Sequence, residues 1–184
     1  MPRRLALAAA PLVLLVASLG ACAESVRIPP AEPSSATQPL FATDEEALEA
    51  ATAAYEEYLR VVDTALQNPE PFDSPFTEVA SGRALDEADQ SLQTFLDRQI
   101  RITGNRTTTG SVFQQSTFLG DTVEVQFYLC ESVKSVGVVD AQGNSLVEEE
   151  RPELTAFEVT VVATAEAVLV HERVVWAGGG ICEE

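Results

Sequence analysis

TDEEALEAATAAYEEYLRVVDTALQNP, residues 43–69, is the strongest secondary-structure signal in the chain. Thr43 and Glu46 form the T-x-x-E pair of a capping box, and acidic residues in the first turn match the helix dipole. Apolar residues then recur at three- and four-residue steps: Leu48, Ala51, Tyr55, Tyr58, Val62 and Leu66. Asn68-Pro69 ends the pattern. It predicts one helix of about 24 residues, roughly 36 Å long, which needs a broad surface to pack against.

After this helix the periodicity changes. A proline-rich connector holds Phe72 and Phe76, which are expected to plug the edge of the core, with at best a short helix at 76–80. Helical spacing returns from about Gly82 to Ile100. From Arg101 onward, β-branched and aromatic residues alternate with polar ones. The expected strands are 101–109, 111–119, 122–130, 134–139, 154–164 and 168–176, with a two-residue hairpin turn at 120–121.

A long helix, a short connector helix and a further helix followed by antiparallel strands is the element order of the NTF2-like (cystatin-like) superfamily. Residues 43–182 resemble this superfamily, including its secreted and lipid-anchored actinobacterial members. The resemblance implies an α+β fold, in which N-terminal helices, one of them long, pack on a curved, mostly antiparallel sheet that forms a cone. One face of the strand 122–130 is apolar and must be buried: Val123, Val125, Phe127 and Leu129.

The N-terminal segment has the layout of an export signal. Two arginines precede an apolar run from Leu5 to Leu19, and small residues stand directly before Cys22. The tetrapeptide LGAC, residues 19–22, resembles a bacterial lipobox, whose cysteine is diacylated, as with palmitate, and becomes the first residue of the mature lipoprotein. An uncut anchor fits less well because the run falls short of the about 20 apolar residues of a spanning helix. An ordinary cleaved signal leaves Cys22 unexplained.

This N-terminus predicts three segments: a lipoprotein signal peptide at 1–21, a lipid-anchored proline-rich tether at 22–43 and a single NTF2-like domain at 44–184. The protein is then expected on the extracytoplasmic face of the cell membrane, held there by the lipid on Cys22. Two of the 11 basic residues lie in the signal, whereas all 29 acidic residues lie after it. Such an acidic chain repels nucleic acid and anionic headgroups, which argues against nucleic-acid binding.

The three cysteines fall into two groups, Cys22 in the N-terminal segment and Cys130 with Cys182 in the predicted domain. If Cys22 carries the lipid, Cys130 and Cys182 remain as an even pair in an exported, oxidising setting, where a disulfide is expected. The alternative of a metal site lacks ligands, because two cysteines and His171 are not a zinc set with the usual spacing. No metal or cofactor is expected.

Enzymes of the superfamily that the chain resembles, such as ketosteroid isomerase and SnoaL-like cyclases, use acid–base residues in the pocket of the cone. None of their catalytic motifs can be carried over to this sequence, so no catalytic residue is assigned. Four residues are candidates to line such a pocket, although the two tyrosines also fit core positions and the tryptophan also fits packing: Tyr55, Tyr58, His171 and Trp176.

The expected function is that of a non-catalytic, secreted lipoprotein that binds a partner protein, an envelope component or a small apolar ligand. The alternative is an enzyme of the isomerase, cyclase or dehydratase type that uses the cone pocket.

Overall fold

A computed structural model describes residues 40–71, 75–148 and 150–183. The expected signal peptide, the lipidation site Cys22 and most of the tether lie outside the described residues, as does Phe72. None of the helices in the described ranges is long and apolar enough to cross a membrane. The elements are α1 Asp44–Gln67, α2 Gly82–Arg98, β1 Arg101–Thr103, β2 Thr107–Leu119, β3 Thr122–Ser132, β4 Gly137–Val139, β5 Leu154–Ala163 and β6 Val168–Val175.

Helix α1 begins and ends where the sequence predicts. The hydroxyl of Thr43 accepts the backbone N–H of Glu46 at 3.2 Å, while the Glu46 carboxylate accepts the N–H of Ala42 at 2.7 Å, one residue before the usual partner of a capping box. The predicted stripe is buried except for Leu48, which is half-buried. One charged residue, Asp63, is buried on the same side of the helix.

The sheet confirms the α+β class. Its four strands are antiparallel in the order β2-β3-β5-β6, while β1 and β4 form a separate pair. Leu119 and Thr122 face each other across the predicted two-residue turn, in which Gly120 has φ +69°. The expected apolar face of β3 is buried and belongs to the same core cluster as the stripe of α1. The long helix therefore packs on an antiparallel sheet.

The prediction of one strand over 101–109 was wrong, because the chain turns at 104–106. Gly104 has φ +74°, and a Cβ there would lie 1.9 Å from the carbonyl oxygen of Ser135. Beyond the turn, β2 continues through Gly110 instead of starting after it, with two register shifts that absorb its extra residues. The short helix at 76–80 is a hydrogen-bonded turn, in which Phe76 is fully buried as expected.

Strand β6 carries a β-bulge that alternation alone does not predict. Thr160 pairs with Glu172 and Val161 with Val170, so His171 is the extra residue. Because of the bulge, Val170 and Arg173 both face the interior although they lie three residues apart. Strict alternation would place His171 and Arg173 on the same face of the sheet, and the bulge prevents this.

The β6 edge of the sheet is partly covered at Val170. The N–H of Val170 donates to the carbonyl of Val79 at 3.0 Å, and its carbonyl accepts the N–H of Ser81 at 2.9 Å. Ala80 and Val170 form a parallel bridge between these bonds. The residues just before α2 therefore satisfy part of this edge.

Candidate functional site

A cavity of about 460 Å³ lies between α1 and the start of β2. Four of its lining residues come from α1 and four from the turn into β2: Glu56, Leu59, Arg60, Asp63, Asn105, Arg106, Thr107 and Thr108. The turn at Gly104 brings the second group against the helix. Gln67 holds it there by donating to the Gly104 carbonyl and to Asn105 Oδ1, both at 2.9 Å.

An ion pair lies in the lining of this cavity. Asp63 is 1% exposed, and its carboxylate accepts two hydrogen bonds from Arg106, one from Nε at 2.7 Å and one from the backbone N–H at 2.8 Å. The Arg106 side chain is 14% exposed. Its Nη2 is buried and has no hydrogen-bond partner among the described residues. The arginine therefore retains a buried donor that no described residue uses.

Behind this pair the charges continue into the core. Glu131 is 4% exposed, and its Oε2 accepts from the Tyr55 hydroxyl at 2.8 Å and from Arg173 Nη2 at 3.0 Å. Arg173 Nε also donates to the Tyr55 oxygen at 3.0 Å. Arg106 Nη1 lies 3.8 Å from Glu131 Oε1 and joins the two halves. We call Asp63, Arg106, Glu131, Arg173 and Tyr55 the buried charge network; its two acids and two arginines balance.

Two members of this network, Tyr55 and Arg173, have raised pKa values. Desolvation raises the pKa of Tyr55 well above its usual range, so the phenol stays protonated and donates to Glu131. Burial works against the charge of Arg173, but Tyr55 and Glu131 outweigh it and raise the pKa of the guanidinium. That guanidinium also lies 4.0 Å from the centre of the Phe157 ring. Within the network, Tyr55 therefore acts as a hydrogen-bond donor and Arg173 as a cation.

The structure does not bring the four pocket candidates together in this cavity. Tyr55 is part of the buried charge network, and Tyr58 is buried beside it with ring centres 5.9 Å apart. His171 Nδ1 lies 3.1 Å from the hydroxyl of Ser81, just before α2. None of these three, nor Trp176, is among the residues that line the cavity.

Trp176 lies on the outer side of the sheet, where it packs against Tyr128 with ring centres 4.4 Å apart. A Cβ at Gly178 would lie 2.4 Å from the tryptophan ring, so the glycine lets the chain pass directly over it. From there the chain reaches the predicted disulfide, which joins Cys130 and Cys182 with Cα atoms 5.1 Å apart. The disulfide prediction is confirmed.

Sequence reasoning missed the charged members of the network, yet two of them leave a signal. Asp63 lies four residues after Leu59 and three before Leu66, so it falls on the buried stripe of α1. Glu131 continues the inward alternation of β3 after Leu129. Acids at core positions predict buried partners. In the described ranges no group of three His, Cys, Asp or Glu side chains is placed to hold a metal ion.

No protein-family model and no curated protein matches the chain. Among solved structures, it is similar to the intermembrane space region of the chloroplast protein ARC6, with a TM-score of 0.50 and 14% identity over 71% of this chain and 97% of that one. Aln2 from a Streptomyces species matches with a TM-score of 0.39 and 18% identity, over 71% of this chain and 89% of Aln2. At such identity, the likeness to the ARC6 region concerns the fold alone.

Proposed function

We propose that this chain is a non-catalytic lipoprotein of the extracytoplasmic membrane face, whose NTF2-like domain binds a small polar ligand, or a polar segment of an envelope partner, between α1 and β2. In this proposal the lipid on Cys22 anchors the protein and the tether presents the domain. The observation that carries it is the cavity lined by the Asp63–Arg106 pair, with an unused buried donor on Arg106.

The cavity lining favours a ligand with both donors and acceptors and little net charge. Glu56 and Asp63 are balanced by Arg60 and Arg106, although the whole chain carries −18. Hydroxyl and amide groups of the turn into β2 supply neutral hydrogen-bonding partners. Such a set suits polar molecules because each polar group of the ligand meets a partner when it leaves water.

An apolar ligand within the cone has less support. The space between α1 and the sheet is occupied by side chains, of which Tyr55, Phe127 and Leu129 are among the largest that are fully buried. The proposal therefore places the ligand beside the helix instead of beneath it.

The hydrogen bonds of Asp63 and Glu131 favour binding over acid–base catalysis by these two acids. Both oxygens of Asp63 already accept hydrogen bonds from Arg106, and Oε2 of Glu131 accepts two more. A general base needs a free carboxylate or imidazole within reach of its substrate. The alternative of an isomerase, cyclase or dehydratase therefore receives no support from these acids.

The binding proposal is tested by thermal-shift screening of amino acids, sugars and other small polar compounds of little net charge. Thr107→Trp fills the cavity from an exposed wall position, and Gln142→Trp adds the same side chain on a distant exposed turn. A compound that stabilises the wild type and the Gln142 variant, but not the Thr107 variant, supports the site. Equal stabilisation of all three, or of none, contradicts it.

The anchor is tested separately. Cys22→Ala should leave an unprocessed precursor that no longer incorporates labelled palmitate, and globomycin treatment of the host should leave the wild type as an unprocessed precursor. Normal processing and membrane retention of the Cys22 variant would refute lipidation without affecting the binding test.

A further inference from the structure

Strand β2 is an open edge of the four-stranded sheet. It is the first strand in the order β2-β3-β5-β6, and within the described ranges its backbone pairs with β3 alone. The opposite edge, β6, is partly covered by its bonds to Val79 and Ser81. Unpaired N–H and C=O groups on an edge are a template for another strand.

The composition of β2 leaves this edge unprotected. Natural edge strands are protected by charged side chains, proline or bulges. Residues 107–119, TTTGSVFQQSTFL, contain neither charge nor proline, although 22% of the chain is charged. The two register shifts lie before Gln115, so Gln115–Leu119 remains in regular pairing with β3. Apolar side chains on this strand are also exposed: Val112 by 46%, Phe118 by 64% and Leu119 by 54%.

We infer that β2 pairs antiparallel with β2 of a second copy, which joins two sheets into one of eight strands. Two molecules that each carry −18 repel each other, and β2 is a surface where they meet without opposing charges. A two-fold contact requires a patch that complements itself. Thr, Ser and Gln satisfy this condition because each both donates and accepts hydrogen bonds.

The hairpin fixes which backbone groups are free. Leu119 and Thr122 close the turn and bond to each other, so the N–H and C=O groups of Ser116 and Phe118 point away from β3. A two-fold axis at Thr117 then sets Ser116 opposite Phe118 of the second copy, and Thr117 opposite its own equivalent. The two facing Thr117 residues form a pair without backbone hydrogen bonds. In pairs of this kind the side chains approach most closely.

Three variants separate this contact from other surfaces. In Thr117→Lys the new lysine lies opposite Glu124 of its own hairpin, so the charge favours the folded monomer. In the dimer the same change sets two lysines opposite each other, which is unfavourable. Ser116→Pro removes an outward N–H without removing a bond to β3. Gln142→Lys is the control with the same change of charge on an exposed turn. Circular dichroism and unfolding midpoints show whether each variant folds.

Self-association is measured by sedimentation velocity and native mass spectrometry on the processed chain purified from its host in mild detergent. We expect a concentration-dependent dimer whose dissociation constant rises about tenfold or more in the Thr117 and Ser116 variants and stays unchanged in the control. Thr117→Cys should form an intermolecular disulfide. A wild type that stays monomeric overturns the inference, as does a dimer that both folded variants leave intact.

Discussion

Removal of the charge of Asp63 tests whether the buried charge network holds the domain together. Asp63→Asn preserves volume but leaves Arg106 with a neutral partner, in a site where the two side chains are 1% and 14% exposed. One charge-assisted hydrogen bond contributes about 1.5–3 kcal/mol, and breaking a buried pair costs about 3–5 kcal/mol. Glu131 Oε1 lies 3.8 Å from Arg106 Nη1 and offsets part of the lost attraction. We therefore expect a loss of about 3 kcal/mol in the free energy of unfolding.

The measurement is equilibrium unfolding in urea under non-reducing conditions. Glu57→Gln is the matched control, since the side chains of Glu57 and Arg60 are 49% and 64% exposed and water screens their attraction, so this pair should contribute little to stability. In thermal unfolding, the Asp63 variant should melt roughly 10 °C below the wild type.

A double-mutant cycle separates the ion pair from local packing. Asp63→Leu and Arg106→Met should each destabilise, whereas the double variant should lose less than the sum, because neither charge is left buried alone. Strict additivity, or an Asp63→Asn variant within about 0.5 kcal/mol of the wild type, would refute the assigned role of the network.

Three further predictions concern other parts of the fold. Reduction of the disulfide, which closes a separation of 52 residues, should lower stability by about 4 kcal/mol in urea unfolding; thiol labelling of both cysteines without reductant would contradict the bond. Burial raises the pKa of Tyr55 and Tyr58 above 10.0, so the contribution of these two tyrosines to stability should be fully present below pH 10 and should be lost as the pH rises above it. Phenolate absorbance should then rise together with alkaline unfolding. Ionisation of these two tyrosines near pH 10 while the circular dichroism spectrum remains that of the folded protein would refute this. Gly82 has φ +52°, and a Cβ at this position would lie 2.3 Å from the His171 ring, so Gly82→Ala should lower the free energy of unfolding by about 2 kcal/mol. His171→Ala should relieve part of that loss, and a loss that stays the same would show that the ring is not the obstacle.

Local patterns predicted the parts of the fold that depend on neighbouring residues. The stripe of α1 and its cap at Thr43 were found because helical spacing and capping both act within four residues. The buried face of β3 followed from strict alternation, and the turn at Gly120 from its glycine. Each of these features is determined by residues close together in sequence.

Apart from the disulfide, the features that depend on distant contacts were not predicted. The break at Gly104 exists because Ser135 approaches its backbone and because Arg106 turns to meet Asp63. The bulge at His171 depends on pairing with β5 and on the residues before α2. No single stretch of the sequence records these contacts. The candidate cavity was missed for the same reason, since its two walls lie more than 40 residues apart.

The bulge and the buried charge network depend on each other. If His171 took part in regular alternation instead of forming a bulge, alternation from Val170 would turn Glu172 inward and Arg173 outward. An acid would then be buried, and Glu131 would lose the arginine that pairs with it at 3.0 Å. An ion pair in a core often contributes no more stability than apolar residues of equal volume, but an unpaired buried charge is strongly unfavourable. The network therefore penalises the unbulged register more than it stabilises the native one. The cost of an unpaired buried charge also keeps Arg106 in place beside the cavity. Arg106 lies near Glu131, and Arg173 holds Glu131 in position from across the sheet.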